Sequence, residues 1–307
     1  MKIVSVINYK GGVGKTTMTA NLAAELAFRG RSVLVIDLDP QASLTFSFIK
    51  PEEWETDFAP HRTIKSWFDA TAGSSAVDLD SLIFEPSVNG RFSTGGRLDL
   101  IASHLGLINV DLELATELGG ATLTQAKKNY IRVHRRLADG LDGIDPQRYD
   151  LVLIDCPPNF NVVTKTAIVA SQHVLIPAKP DYLSTLGIDY LVRALRELVE
   201  SYNEYAELGR ANAGEKISPE ILGVVFTMVQ EYGKQPIASI RPFIAQTRQL
   251  DVPVFDAYIK ENKTMFADAP QYGVPVVLAP RAGSTYESVV EGIEDFVTEF
   301  ERNLQLE

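Results

Sequence analysis

The sequence predicts an α/β fold in which helices cover both faces of a mostly parallel, twisted β-sheet. Short apolar runs typical of buried strands recur along the chain, and most are separated by stretches with apolar residues at helical spacing. The length is also sufficient for a full core, because 307 residues, of which 45% are hydrophobic, correspond to one large domain or two small ones. We expect a single domain over residues 1–307.

The strands and helices are predicted in a regular order. The first strand covers Ile3 to Ile7, and after a glycine-rich turn the apolar residues between Thr16 and Arg29 recur at helical spacing. Near the end of the chain, Ser284 to Phe300 has the same spacing and an acidic outer face, which predicts a covering helix over about 284–303. Further apolar runs predict strands at Val33–Ile36, Leu98–Ile101, Leu151–Ile154, Val174–Ile176, Ile221–Thr227 and Val276–Leu278.

The stretch from Lys50 to Arg97 departs from this alternation. Proline, glycine and serine residues divide it into short pieces around Ile64–Phe68 and Leu79–Phe84. We interpret it as an irregular surface excursion from the domain rather than as a linker between two domains.

Charge and cysteine content exclude several classes of protein. Lys plus Arg is 29 and Asp plus Glu is 40, so the net charge is −11, and any contact with nucleic acid requires a local basic patch. A single cysteine, Cys156, excludes an intramolecular disulfide framework and a cysteine-ligated zinc or iron–sulfur site within one chain. No apolar run approaches the roughly 18 residues of a membrane-spanning helix. We therefore expect a cytoplasmic protein without a membrane partner.

The turn after the first strand carries the strongest chemical signal. Its sequence fits the phosphate-binding pattern G-x-x-x-x-G-K-[ST], except that Tyr9 stands where the first glycine would be. Glycines let successive backbone N–H groups converge on phosphate oxygens at a helix N-terminus, where the helix dipole also favours an anion. Lys15 would reach the β- and γ-phosphates of a nucleotide, and the Thr16 hydroxyl would bind Mg²⁺. The candidate nucleotide-binding residues are Lys10, Gly11, Gly12, Val13, Gly14, Lys15, Thr16 and Thr17.

Carboxylates follow two of the predicted strands. Asp155 ends the apolar run Leu151–Ile154, a Walker B pattern that places its carboxylate near the magnesium ion. Asp37 and Asp39 follow the second strand, and two residues at this spacing on a strand point the same way. Both could therefore face a metal and an attacking water beyond the end of the strand.

The run from Lys10 to Thr17 resembles the deviant Walker A box of the ParA/MinD/Soj family of P-loop ATPases. In that family the early lysine, here Lys10, crosses to the nucleotide of the partner subunit, and the resemblance therefore implies ATP and Mg²⁺ as cofactors and a sandwich homodimer. It also implies that Asp39 orients the water for hydrolysis, with Lys10 and Lys15 as the other catalytic residues. Asp37 would support the magnesium site together with Thr16 and Asp155. Gly223 to Met228 resembles the family's strand near the adenine.

Three features favour the short, Soj-like branch of this family. The acidic tail Glu299–Glu307 lacks the basic amphipathic helix by which the MinD branch docks on membranes. The single cysteine argues against the nitrogenase iron-protein relatives, which use two cysteines from each subunit. The first strand begins near residue 3, so we expect no preceding helix-turn-helix domain of the kind that larger plasmid partition ATPases carry.

The resemblance implies a switch for chromosome or plasmid partition. In this branch the ATP dimer binds DNA non-specifically and is released when a ParB-like partner stimulates hydrolysis. Solvated helix faces, on which basic residues pair with acids, explain the basic clusters of this chain at least as well as contacts with DNA phosphates do. Candidate DNA contacts are Lys234, Arg241 and Arg248 on a predicted helix with Lys260 and Lys263 nearby, and a second basic cluster is Lys127, Lys128, Arg132, Arg135 and Arg136.

Two other functions remain open at this point. A ParA-like ATPase can instead position a protein cargo, such as a chemoreceptor array or another cell-pole complex. A metabolic P-loop enzyme that uses ATP to activate a small acid is the other possibility, but it would require a substrate pocket with convergent polar residues. It also leaves Lys10 without a role.

Overall fold

The computed structural model describes residues 1–72, 77–208, 216–233, 235–279 and 283–306. Its main sheet has seven strands in the order β3-β2-β4-β1-β5-β6-β9, and every neighbouring pair is parallel. Two further strands, β7 and β8, form a short antiparallel pair. The strands are β1 (Lys2–Val6), β2 (Ser32–Asp37), β3 (Arg97–Ile101), β4 (Leu151–Asp155), β5 (His173–Ala178), β6 (Glu220–Val229), β7 (Glu231–Tyr232), β8 (Gln235–Pro236) and β9 (Val254–Lys260).

Helices cover both faces of this sheet, as the sequence predicts. Alternate strand residues point to opposite faces, so Ile3 lies in one buried cluster while Val4 and Val6 lie in the other. The cluster that contains Ile3 is covered by α3 to α7, and the other by α1, α9 and α10. The helices are α1 (Lys15–Phe28), α2 (Pro51–Glu53), α3 (Ile64–Ala72), α4 (Leu107–Glu117), α5 (Leu123–Leu141), α6 (Val162–Ala170), α7 (Tyr182–Leu208), α8 (Arg241–Thr247), α9 (Lys263–Tyr272) and α10 (Ser284–Leu304).

The strand order brings the predicted site residues together. β1 lies between β4 and β5, and β4 also pairs with β2 in a register that sets Asp37 beside Asp155. Ligands of open α/β sheets bind beyond the carboxyl ends of the strands, where the strand order reverses. The glycine-rich turn after β1 and the carboxylates that end β2 and β4 therefore share one edge of the sheet.

One predicted strand is wrong and another was missed. Val276–Leu278 forms a 3-10 turn after Pro275 rather than a strand. The missed strand is β9, at one edge of the sheet, in which Phe255 and Ile259 are buried whereas Asp256 is exposed. An edge strand covered on one face alternates between apolar and polar residues, so it lacks the continuous apolar run typical of the central strands.

The excursion between Lys50 and Arg97 is irregular, as predicted, but it is not confined to the surface. Phe58, Trp67, Phe68, Leu82 and Val88 are buried, and they pack into the clusters on both faces of the sheet. Because each short piece contributes one or two large side chains, no piece is long enough to show a regular period.

The C-terminal helix α10 covers α1 and β9. Phe296 and Phe300 are fully buried, and Arg29 at the end of α1 forms an ion pair of 3.1 Å with Glu301. Across the described ranges, none of the helices combines the length and apolar character needed to cross a membrane.

Candidate functional site

The glycine-rich turn after β1 forms a cradle in front of α1. Gly12 and Gly14 have φ angles of 68° and 78°, a left-handed conformation that favours glycine because it has no Cβ. Gly14 is the N-cap of α1, and no side chain caps this helix. The first N–H groups of α1 therefore point into the space before the helix, where a phosphate would bind.

Two buried polar residues that the sequence analysis did not single out hold this turn in place. The Asn8 amide donates to the carbonyl oxygen of Pro177 at 2.7 Å, and its own oxygen accepts a hydrogen bond from Lys10 N–H at 2.9 Å. Thr227 at the end of β6 donates to the carbonyl oxygen of Val13 at 2.5 Å. The available signal was a polar residue at the end of an apolar run, but the contacts join residues far apart in the sequence.

Lys15 lies inside the cradle. Its side chain is buried, and its ammonium donates to the carbonyl oxygen of Asn8 at 3.3 Å. Burial lowers the pKa of Lys15, while the nearby carboxylates of Asp155 and Asp39 act in the opposite direction. Among the described residues no carboxylate is in direct contact with this ammonium, which is therefore well suited to bind an incoming anion.

Thr16 and Asp155 form the part of the site that suits a cation. The Thr16 hydroxyl donates to Asp155 Oδ2 at 2.7 Å, and Asp155 Oδ1 is buried without a hydrogen-bond partner among the described residues. Burial raises the pKa of Asp155 to about 7, although the hydrogen bond from Thr16 and the charge of Lys15 act to lower it. Carboxylate and hydroxyl oxygens are the ligands that Mg²⁺ prefers, so the donor set fits this ion, bound directly or through water.

Asp37 and Asp39 differ in their surroundings, since Asp37 is fully buried at the end of β2 and Asp39 is partly exposed in the turn that follows. The strand ends at Asp37, whose Oδ1 accepts a hydrogen bond from Asp39 N–H at 3.1 Å. Asp37 Oδ2 accepts two hydrogen bonds from Thr45, each 2.8 Å. Burial and the charge of Asp155 raise the pKa of Asp37 to about 8. Asp37 therefore binds the loop that follows it, and its support of a magnesium ion stays a prediction.

Asp39 is partly exposed in the turn after β2. Its Oδ1 accepts a hydrogen bond from Gln41 N–H at 3.0 Å. This carboxylate is close enough to Asp155 and Lys15 to influence the pKa of both groups. Its role in orienting water stays a prediction.

The Lys10 side chain contacts residues at the start of α7. Its ammonium lies 2.7 Å from Asp181 Oδ2 and 3.3 Å from the Ser184 hydroxyl. Burial disfavours ionisation of Asp181, but hydrogen bonds from Lys10 and Ser184 outweigh it and lower its pKa. The ion pair is about one third exposed, and pairs of this kind contribute little to stability. The two lysines of the turn thus have separate surroundings.

A cavity of about 300 Å³ adjoins the cradle. Gly14 and Thr17 form one wall, and the side chains of Met18, Met228 and Phe266 are among the others. Its volume lies at the lower end of the range for small-molecule sites, and its lining is largely apolar. Thr227 and Met228 of the stretch Gly223–Met228 line it, and the proximity of this strand to an adenine stays a prediction.

Three of the four candidate DNA contacts within the described residues have an acidic neighbour. Lys234 lies outside the described residues. Arg241 begins α8 and is exposed, whereas Arg248 follows the helix and pairs with Asp256 at 2.8 Å. Lys260 pairs with Glu231 at 3.0 Å, and Lys263 lies 3.7 Å from Glu261 with 89% of its side chain exposed.

Most of the second basic cluster, on α5, is also paired with acids. Glu117 accepts ion pairs from both Arg132 and Arg136, at 3.0 Å and 2.7 Å. Arg135 pairs with Asp139 at 2.6 Å. Lys127 pairs with Glu204 at 3.4 Å, which agrees with the interpretation of this cluster as a solvated helix face.

Comparison with curated proteins relates the chain to partition proteins. It is 30% identical over 284 residues to the chromosome partitioning protein ParA of Caulobacter vibrioides, covering 91% of this chain and 87% of that protein. It is 25% identical over 287 residues to the sporulation initiation inhibitor protein Soj of Bacillus subtilis, covering 90% of each. A putative replication protein A of Rhizobium rhizogenes is 32% identical over 199 residues, which are 65% of this chain but only 45% of that relative.

The fold is also similar to that of a solved structure. The structure of apo McdA from Cyanthece superimposes with a TM-score of 0.69 at 21% identity, covering 98% of this chain and 99% of that one. A family model described as an AAA domain matches residues 1–208. The glycine-rich cradle with its two lysines and the match to ParA over 284 residues indicate the same family. The chain therefore belongs to the ParA/Soj family of P-loop NTPases.

Proposed function

We propose that this protein is an Mg²⁺-dependent ATPase that works as a dimerising switch. The observation that carries the proposal is the glycine-rich turn with two lysines in different surroundings, Lys15 inside the cradle and Lys10 outside it. The N–H groups of the turn and Lys15 bind the phosphates, and the adjoining cavity takes the base. Thr16 and Asp155 hold the magnesium ion, with Asp37 in support, and the ion neutralises charge on the phosphates. Asp39 orients the attacking water.

Exposed apolar side chains around the site support closure of a second copy over the nucleotide. Seven of the eleven large apolar side chains that are exposed among the described residues lie just before or on α4 and on the first turns of α7. The α4 group adjoins the loop of Asp39 through a cavity that Pro40 and Ile108 line, and the α7 group follows Asp181, the partner of Lys10. Clustered apolar exposure of this kind marks association surfaces. The residues are Leu105, Ile108, Leu112, Tyr182, Leu183, Leu186 and Tyr190.

Replacement of Lys10 tests the dimer. We expect Lys10→Ala to bind ATP with an affinity within about threefold of the wild type but to stay monomeric, because Lys10 contributes to the partner's site and not to its own. Nucleotide titration measures the affinity, and sedimentation equilibrium with Mg²⁺ and ATP measures the mass. Lys50→Ala, which removes an exposed lysine just before α2, is the matched control and should dimerise normally. ATP-dependent dimers of Lys10→Ala would contradict the role of Lys10 across the interface.

We propose that the ATP-bound dimer binds DNA non-specifically and that this binding serves the partition of a chromosome or plasmid. Lys128 and Arg241 are exposed, and Lys263 beside Glu261 is 89% exposed, so all three are accessible for phosphate contacts. A ParB-like protein would then release the dimer by stimulating hydrolysis. Such a protein would work in the cytoplasm and associate with the nucleoid while ATP is bound.

Binding to DNA duplexes of unrelated sequence tests whether the ATP dimer binds DNA non-specifically. Asp39→Ala should bind them with ATP but not with ADP, and the affinity should fall steeply with rising salt, because phosphate contacts release counterions. Fluorescence anisotropy over a salt series measures both effects, and Lys10→Ala serves as the monomeric control. Dimers that bind no DNA would contradict the partition function.

Positioning of a protein cargo is the second candidate function. The net charge of −11 and the acid partners of Arg248, Lys260 and most α5 cations favour it over DNA binding. The same experiment separates the two functions. ATP-dependent dimers that do not bind DNA even at low salt would support positioning of a protein cargo.

A further inference from the structure

The turn that carries Asp39 is strained. Ala42 has a φ of 53°, in the left-handed region that alanine rarely adopts, and its side chain is buried. The Ala42 N–H donates to the carbonyl oxygen of Asp39 at 2.9 Å, which closes the turn. Strained backbone persists only where surrounding contacts hold it, and it concentrates at functional sites.

Two buried hydroxyl groups supply those contacts. The Thr45 hydroxyl donates to Asp37 Oδ2 at 2.8 Å and accepts a hydrogen bond from Ser103 N–H at 2.9 Å. The Ser103 hydroxyl donates to the carbonyl oxygen of Asp39 at 2.6 Å. Because Asp39 N–H donates back to Asp37 Oδ1, the four residues Asp37, Thr45, Ser103 and Asp39 form a closed ring of hydrogen bonds.

The ring joins three parts of the chain. Asp37 ends β2, Thr45 lies on the return of the loop, and Ser103 follows β3 at the neighbouring position in the sheet. Thr45 and Ser103 are fully buried, so the ring is shielded from water that would compete for its hydrogen bonds. It holds the main chain of Asp39 at both the N–H and the carbonyl oxygen, and the carboxylate of Asp39 is not a member of the ring.

We infer that Thr45 and Ser103 are positioning residues for ATP hydrolysis, which hold the strained turn so that the Asp39 carboxylate meets the attacking water. The inference rests on the proposed function, because it assumes that Asp39 orients that water. Neither hydroxyl takes part in the reaction. Release of the turn would let the Asp39 backbone relax, and a displacement of about 1 Å at a catalytic group costs on the order of 100-fold in rate.

Removal of the Ser103 hydroxyl tests the ring against a matched control. Ser103→Ala loses the bond to Asp39, whereas Ser47→Ala loses a buried hydroxyl that donates to the carbonyl oxygen of Ser43 in the same loop, outside the ring. We expect kcat to fall about 10- to 100-fold in Ser103→Ala with KM for ATP and ATP-dependent dimer mass unchanged. Ser47→Ala should keep kcat within about twofold. Equal kcat in the two variants, or a parallel rise of KM, would overturn the inference.

A second pair of variants separates positioning from folding. Thr45→Val keeps the shape of the side chain but removes both hydrogen bonds of its hydroxyl, and Thr45→Ser restores the hydroxyl. We expect kcat to fall in Thr45→Val and to recover in Thr45→Ser, with thermal unfolding measured for both. Loss of kcat in Thr45→Ser as well, in a folded protein, would contradict the inference. Turnover at the wild-type rate in Asp39→Ala would instead show that the proposed role of Asp39 is wrong.

Discussion

Lys15→Met is expected to lose nucleotide binding, with an affinity for ATP at least about 100-fold below that of the wild type. Lys15 is the buried cation of the cradle, and removal of one partner from a desolvated, charge-assisted contact costs about 3 kcal/mol, or a factor of about 100 in Kd. Methionine is similar in length, so the change removes the charge and keeps most of the packing. Isothermal titration with ATP and with ADP measures the effect.

The stability of the nucleotide-free protein provides the control for this variant. Burial lowers the pKa of Lys15, so the charged ammonium is less favourable in the folded, nucleotide-free protein than in the unfolded chain. Loss of that charge should therefore leave the thermal unfolding midpoint of the nucleotide-free protein unchanged or raise it. A folded Lys15→Met that binds ATP within about threefold of the wild type would refute the assignment of the phosphate-binding loop.

Asp39→Ala is expected to lose ATP turnover by about 100-fold or more while it keeps ATP-dependent dimers. The carboxylate is partly exposed at the site edge, and the ring of hydrogen bonds holds residue 39 through its main chain, which alanine retains. The turn should therefore stay in place while the group that orients water is lost. ATP would then bind, close the dimer and remain intact.

Phosphate release and dimer mass measured on the same sample distinguish the possible outcomes for Asp39→Ala. Asp57→Ala, which removes an exposed carboxylate of the 50–97 excursion, should hydrolyse ATP at the wild-type rate. Normal turnover in Asp39→Ala would remove this residue from the reaction. Loss of dimers together with turnover would show that Asp39 acts in association rather than in hydrolysis.

Local sequence patterns determined the elements of this protein and the core of its site. Five of the predicted apolar strands after the first and the long helices have the expected order, because burial on both faces requires a continuous apolar run. The run Lys10–Thr17 forms a cradle at a helix N-terminus, as its glycine spacing predicts. The strands, the helices and the glycine-rich turn depend on residues that are close together in the sequence, so local patterns are sufficient to predict them.

The tertiary structure decided which polar groups meet. Asp181 pairs with Lys10 across 171 residues, Thr227 holds Val13 across 214, and Ser103 reaches Asp39 across 64. It also turned Asp37 towards Thr45 and paired several candidate DNA contacts with acids. No local pattern predicts such contacts, since parallel strands bring distant parts of the chain to one edge of the sheet. The sequence by itself therefore determined the fold and the glycine-rich cradle, whereas the orientation of the side chains around that cradle depends on long-range packing.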